Sequence, residues 1–223
     1  MKVLIFLIVV AILGVCSNEI KDNYGNSYNI VMSPYTGKIW LDRNLGAKRV
    51  CKSIDDKLCY GNYFQWGRKS DGHELKTSEI THIKATSVRV NHGKFISPKK
   101  LDVNMGEGWL QDNKSKLWHS LWKGENSLNN PCPTFFRVPT GEELLNEISN
   151  KEDGALIDAY KSFLKIPQAS LRFSSGEMDT WKWANLWSSD NLSYPEQLMI
   201  LEDVVRIKNY RAVAGMPIRC IKK

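Results

Sequence analysis

Beyond residue 17 this chain contains four cysteines, and their spacing limits the folds available to it: Cys51, Cys59, Cys132 and Cys220. A zinc site usually takes closely spaced C-x₂₋₄-C pairs or a nearby histidine pair. A redox pair takes C-x-x-C. Neither spacing is present, and the four histidines are scattered along the sequence. The pattern therefore favours structural disulfides over a metal site or a redox pair.

The N-terminal segment has the layout of a secretory signal peptide, which we predict over residues 1–17. Met1-Lys2 provides a positive start, and Val3 to Leu13 is an unbroken apolar run of 11 residues. A membrane-spanning helix needs ~20 such residues. "LGVC" also resembles a bacterial lipobox, in which Cys16 would become a lipid-carrying N-terminus. Ordinary cleavage after Ser17 is the alternative.

Export makes a disulfide framework the default for an even number of cysteines. Four cysteines allow three pairings. The close pair, Cys51 and Cys59, most simply bridges itself and leaves Cys132 with Cys220. On the chain-entropy model the short loop stabilises the fold by ~2.5 kcal/mol and the long loop by ~4.5 kcal/mol.

Size and charge restrict the function. Residues 18–223 contain no Pro/Gly/Ser linker and no internal repeat, so we predict a single domain. The net charge of the chain is +7, and removal of Lys2 with the leader leaves +6. This excess is diffuse, and no basic face is visible, so no nucleic-acid partner is expected. Contact with a membrane is expected only through the lipid anchor.

The periodicity predicts an α+β fold. Residues 27–46 are typical of a β-hairpin around a Pro-x-x-Gly turn. Residues 138–149 predict a helix in which Thr140 is the N-cap and Glu143 completes a capping box. A second helix is predicted over 154–164.

The C-terminal third predicts an antiparallel meander, from five strand candidates: 171–175, 184–189, 197–202, 204–209 and 216–222. Residues 67–131 are mostly irregular, which is long for a loop. Trp109, Trp118 and Trp122 lie within them. We therefore expect an ordered loop that its aromatic side chains hold against the core.

Six segments in order carry a resemblance to a known family: "IWLDRNLGA" (39–47), "CYGNYFQWGRKSDGHE" (59–74), "NNPCPTFFRVPTGEELL" (129–145), "LKIPQASLRFSSG" (164–176), "LWSSD" (186–190) and "GMPIRCIKK" (215–223). Together they resemble the Fibrobacter succinogenes major paralogous domain, an exported or lipid-anchored bacterial module. The resemblance covers nearly all of 18–223. It implies a C-type-lectin-like fold related to the formylglycine-generating, sulfatase-modifying branch.

The resemblance also implies structural roles for the cysteines. Cys51 and Cys59 would clasp the loop that enters "YGNYFQWGR", and Cys132–Cys220 would join the helical half to the last strand. The sequence departs from the family at 168–172, where a Gly usually precedes the Arg, and in the tryptophan-rich 181–189. Both departures fall where lectin-like folds carry their ligand loops.

Catalysis has little support in the sequence. The formylglycine-generating relatives work through a cysteine pair with bound copper, whereas here every cysteine beyond residue 17 has a structural partner available to it in the predicted disulfides. Asp71, His73 and Glu74 form a polar cluster, but "SDGHE" is also good turn sequence. Motifs of serine hydrolases, zinc proteases and phosphate loops are absent. We predict no catalytic residues and no metal site.

Calcium is the one cofactor that the lectin resemblance raises, and no cofactor is expected. The "EPN"-like and "WND"-like tripeptides that bind calcium and sugar are missing, and "SSDN" (188–191) more often forms an Asx turn. Trp40, Trp66 and Trp187 are expected in the core. Trp118, Trp122, Trp181 and Trp183 lie in loop-like stretches, where a tryptophan either holds a loop to the core or contacts a partner.

The expected function is a non-enzymatic binding module, exported to the bacterial envelope, at the surface, in the periplasm or secreted. Its partner would be a glycan or an envelope or surface protein. The predicted contact residues are Trp181, Trp183, Asp190 and Asn191, because a rigid indole offers large contact area beside directional polar groups. The alternatives are a catalytic relative of the formylglycine-generating branch and a purely structural envelope protein.

Overall fold

The computed structural model describes residues 19–99, 108–112, 117–148 and 155–223. The predicted signal peptide (1–17) and the lipid-acceptor position Cys16 lie outside these residues. Within the described ranges, no helix combines the length and the apolar character needed to cross a bilayer.

Short strands and irregular segments dominate the described chain, which confirms the α+β class. The two α-helices lie between the eighth and ninth strands. The elements are β1 Ile20–Lys21, β2 Ser27–Tyr28, β3 Ile30–Met32, β4 Ile39–Leu41, β5 Phe64–Gln65, β6 Ile80–Thr81, β7 Phe95–Ile96, β8 Phe136–Arg137, α1 Gly141–Asn146, α2 Ala155–Lys161, β9 Ala184–Asn191, β10 Pro195–Ile200, β11 Val205–Asn209, β12 Gly215–Met216 and β13 Ile221–Lys222.

The predicted hairpin forms one side of a four-stranded sheet of order β3-β4-β13-β8. β3 and β4 pair antiparallel, and the Ser33–Lys38 turn between them is closed by a hydrogen bond from the Ser33 N–H to the Lys38 carbonyl. Ile30 and Met32 face outwards, whereas Trp40 on the partner strand is completely buried. β13 therefore lies between the hairpin strand β4 and β8, a strand from the middle of the chain.

Two disulfides are present and join the predicted partners, Cys51 with Cys59 and Cys132 with Cys220. Cys220 directly precedes β13, and Cys132 lies shortly before β8, its neighbour in the sheet. The second bridge thus reinforces the pairing that the backbone already makes.

Helix α1 begins as predicted. The Thr140 side chain accepts a hydrogen bond from the Glu143 N–H, and the Glu143 carboxylate accepts one from the Thr140 N–H. Burial would raise the pKa of Glu143, but hydrogen bonds from Arg137 and Lys38 outweigh it and lower the pKa to about 2. Leu144 and Ile148 are buried against the meander. Both helices are shorter than the predicted ranges.

The antiparallel meander exists as the sheet β11-β10-β9, but two strand predictions are wrong. Residues 171–175 form no strand: Arg172 makes isolated bridges, and its guanidinium donates to the Gly176 and Ser78 carbonyls instead. The predicted strand 216–222 is two short strands in different sheets. Pro217 follows the first, and a proline has no N–H with which to continue a ladder.

The long irregular segment is held by a tryptophan cluster, defined as Trp66, Trp109, Trp118 and Trp122. All four side chains are buried, and the ring centroids of the three contacting pairs lie 5.3–5.6 Å apart. The Trp109 indole donates to the Trp66 carbonyl, and the Trp122 indole donates to the Asn129 carbonyl. The expectation of an ordered loop pinned by aromatic residues is confirmed for these segments.

Candidate functional site

The predicted contact tryptophans stand at one end of the longest strand. Trp181 is 63% exposed, and Trp183 is partly buried. Their ring centroids lie 5.6 Å apart at an interplanar angle of 34°. Trp183 therefore supports one side of the Trp181 ring and leaves much of that ring open to solvent.

Asp190 and Asn191 lie at the opposite end of β9, so their expected proximity to Trp181 is wrong. At ~3.3 Å per residue, the extended strand separates Ala184 from Asp190 by about 20 Å. Asp190 instead accepts a hydrogen bond of 2.6 Å from the Gly141 N–H, the first amide of α1. Asn191 is buried. Sequence reasoning ended the strand at 189 and placed both residues in a loop.

Trp181 lines a cavity of about 490 Å³, which we call the Trp181 pocket. This volume is within the range of small-ligand sites. Its wall combines aromatic, cationic, acidic and amide side chains from three separate parts of the chain. The lining residues include Asp55, Lys57, Tyr60, Tyr63, Lys76, Gln168, Ser170, Asp179, Trp181 and Lys182.

One wall of the Trp181 pocket is the clasp loop, residues 51–59, together with Tyr60. The Cys51–Cys59 bridge closes this loop, and Asp56 caps its 3₁₀ turn by accepting from the Leu58 N–H. Arg49 hydrogen-bonds to Asp56 and is the main cause that lowers the pKa of Asp56 to about 2. The disulfide and the ion pair thus fix the loop that presents Lys57 and Tyr60.

The opposite wall fixes the backbone of Trp181 through Asp179. One carboxylate oxygen of Asp179 accepts a hydrogen bond from the backbone N–H of Trp181 at 3.0 Å. The other oxygen accepts a short hydrogen bond from the Ser170 hydroxyl. Ser170 is itself held, because its N–H donates to the Trp183 carbonyl. The wall is therefore a connected hydrogen-bonded turn that fixes the backbone from which the Trp181 side chain extends.

Lys76 lies between the two pocket tyrosines. Its ammonium group is 5.3 Å from the ring centroid of Tyr60 and 5.3 Å from that of Tyr63, a cation–π arrangement. The pKa of Lys76 is lowered, first because burial of the ammonium group penalises its charge and second because Lys57 repels it. Burial raises the pKa of both tyrosines, so their hydroxyls are protonated hydrogen-bonding groups at neutral pH.

The polar cluster noted in the sequence is a second candidate, because Asp71, His73 and Glu74 come close enough to share an ion. His73 is fully buried. Its Nδ1 lies 2.6 Å from an Asp71 oxygen, and its Nε2 accepts a hydrogen bond from the Gln65 N–H. Since Nε2 is an acceptor, Nδ1 carries the proton, and neither nitrogen has a lone pair free for a metal.

The carboxylates of this cluster also have hydrogen-bond donors from the protein. Arg68 donates to Asp71 at 2.7 Å, and the Tyr24 hydroxyl donates to Glu74 at 2.6 Å. Burial would raise the pKa of Asp71, but its contacts with His73 and Arg68 lower it to about 2. The cluster therefore connects the 71–74 turn to β5 and to the N-terminal segment. Its geometry fits a structural role.

Sequence reasoning identified Trp181 but missed the rest of the pocket. Tyr60, Tyr63, Lys76 and Gln168 belong to segments far apart along the chain, so no local spacing reveals that they meet. The usable signal was the clustering of aromatic residues directly after Cys59. A disulfide-closed loop that is followed directly by tyrosines can be considered as a pocket wall.

Comparisons with protein-family models, with curated proteins and with solved structures give no match to this chain. Membership of the Fibrobacter succinogenes major paralogous family therefore stays a prediction from the six sequence segments.

Proposed function

We propose that this chain is an exported or surface-anchored, non-enzymatic binding module that takes a glycan into the Trp181 pocket. We further propose the C-type-lectin-like fold of the Fibrobacter succinogenes major paralogous family for it. The observation that carries the function is the exposed indole of Trp181, supported from behind by Trp183, at the wall of a pocket of about 490 Å³.

The chemistry of the pocket suits a sugar ring. The C–H face of a pyranose is apolar and packs on a flat aromatic ring, while its hydroxyl groups need polar partners at the edge. An indole provides this contact area at low entropic cost, since few torsions are immobilised. Tyr60 and Gln168 are partly exposed around the same space and can hydrogen-bond to ring substituents, whereas Tyr63 and Ser170 are buried in the wall behind them.

The state of the cysteines supports binding over catalysis. A formylglycine-generating relative needs a free thiol of low pKa. All four described cysteines are in disulfides, Cys51 with Cys59 and Cys132 with Cys220. Two disulfides are also the kind of feature that oxidising compartments maintain, which supports the proposed export.

A saccharide screen with a Trp181→Ala variant tests the proposal. We expect the parent to bind at least one class of oligosaccharide and the variant to lose at least tenfold in affinity. Isothermal titration calorimetry with the saccharides that bind in the screen gives the affinities of the parent and the variant. Phe135→Ala is the matched control, because Phe135 is 68% exposed and lines a different cavity. Equal affinities for parent and Trp181→Ala would reject the pocket as the site.

A further inference from the structure

The charges around the Trp181 pocket are unbalanced. Lys57, Lys76 and Lys182 line it, and within the described part of the chain none of them has a carboxylate within ion-pair distance. The acidic residues that line the same pocket are Asp55 and Asp179. Three unpaired cations against two carboxylates give a net positive lining.

Both carboxylates are already engaged within their own loops. Asp179 accepts from the Trp181 N–H and from the Ser170 hydroxyl. Asp55 accepts from the Ser53 hydroxyl at 2.6 Å, and the field of Lys182 makes a smaller contribution to lowering its pKa. The neighbours of Lys76 are two neutral aromatic rings and the cation Lys57, none of which offsets its charge with a negative one.

A ligand that placed a negative group beside Lys76 would remove this imbalance. The group would lie beside a cation whose position is defined by the two tyrosine rings that it contacts. Lysine presents a compact charge with freely rotating donors, so it tolerates either a carboxylate or a sulfate. The indole of Trp181 would hold the ring that carries the group.

We infer that the Trp181 pocket selects acidic saccharides, that is, sugar rings bearing a carboxylate or a sulfate, with Lys76 as the residue that determines this preference. The inference rests on the proposed glycan-binding function and adds the substrate class. It also predicts that affinity for the acidic ligand falls as salt concentration rises, since the interaction is screened.

Three probes distinguish the possibilities: an oligogalacturonate, a sulfated oligosaccharide and a neutral cello-oligosaccharide. Calorimetry at low salt should show that at least one acidic probe binds tenfold or more tightly than the neutral probe. Lys76→Gln should remove most of that difference, measured as the ratio of acidic to neutral affinity within the same variant. Lys208→Gln is the matched control, because it makes the same charge change on the exposed face of β11.

The outcomes separate the two proposals. Neutral binding that depends on Trp181 but shows no acidic preference would overturn this inference and keep the glycan-binding function. A preference that Lys76→Gln and Lys208→Gln weaken equally would also overturn it, because the effect would then be one of net charge. The absence of binding to any saccharide would overturn both.

Discussion

The two groups of tryptophans in this protein show how the same residue type serves opposite purposes. The tryptophan cluster is buried, and the indole N–H groups of Trp66, Trp109 and Trp122 donate to backbone carbonyls. Trp181 is mostly exposed, and its indole N–H has no hydrogen-bond partner among the residues that the structure describes.

The difference lies in what surrounds the ring. A buried indole must satisfy its N–H within the protein, because an unpaired buried donor costs about 1–3 kcal/mol. The carbonyls that do this belong to Ser188 for Trp66, to Trp66 for Trp109 and to Asn129 for Trp122. The Trp181 ring instead rests on one supporting indole and keeps its donor in water. Exposure and an open donor together indicate a contact residue better than loop position does.

The largest effect that tests this comparison is expected for Trp122→Ala. Truncating a buried tryptophan should lower the free energy of unfolding by ~3–5 kcal/mol. Trp181→Ala should lower it by less than ~1 kcal/mol, as is usual for exposed positions. Denaturant titration of the two variants side by side measures both. Similar losses in the two variants would mean that Trp181 is a core residue and would break the comparison.

An intermediate effect is expected from removing the clasp disulfide by the double substitution Cys51→Ser and Cys59→Ser. The chain-entropy model gives a loss of ~2.5 kcal/mol in the free energy of unfolding. Saccharide affinity should also fall, because the clasp loop carries Lys57 and leads into Tyr60. The tryptophan cluster should keep its near-ultraviolet circular dichroism. A variant that binds like the parent would show that the clasp does not shape the pocket.

The smallest effect is expected for Asp190→Ala, at the far end of β9. It removes the acceptor of the first amide of α1, at the buried Gly141, which should lower the free energy of unfolding by ~0.5–2 kcal/mol, the usual cost of losing a side-chain cap at a helix N-terminus. Saccharide binding should not change, because Asp190 lies outside the Trp181 pocket. Calorimetry together with denaturant titration decides this. If Asp190→Ala lost saccharide binding but kept its stability, Asp190 would be a contact residue and this prediction would be wrong.

Local signals in the sequence predicted local structure well. The capping box of Thr140 and Glu143, the hairpin turn and the spacing of the cysteines each act over a few residues or through a simple pairing argument, and the structure has all three. The burial of Trp118 and Trp122 was harder to predict, because a tryptophan in irregular sequence can hold a loop or contact a partner. Which of the two roles such a tryptophan has depends on the residues that surround it in the folded structure.

The candidate site was the least predictable part. Lys76 meets Tyr60 and Tyr63 because the chain returns to the clasp loop after the 71–74 turn, and Gln168 arrives from beyond α2. Long-range packing brings these residues together, and no hydrophobic periodicity in the sequence predicts such contacts. Asp190 was misplaced for a simpler reason: β9 continues two residues beyond its predicted end.

The position of β13 has a consequence for the order in which the protein folds. Ile221 pairs with Trp40 on one side and with Arg137 on the other, so three distant parts of the chain meet in this strand. Contacts between residues so distant in sequence slow folding. Until β13 has paired, the edges of β4 and β8 that it covers are open, and Cys132 has not yet formed its disulfide with Cys220. We expect deletion of residues after Arg219 to trap the chain in this state, prone to aggregation and to wrong pairing of Cys132.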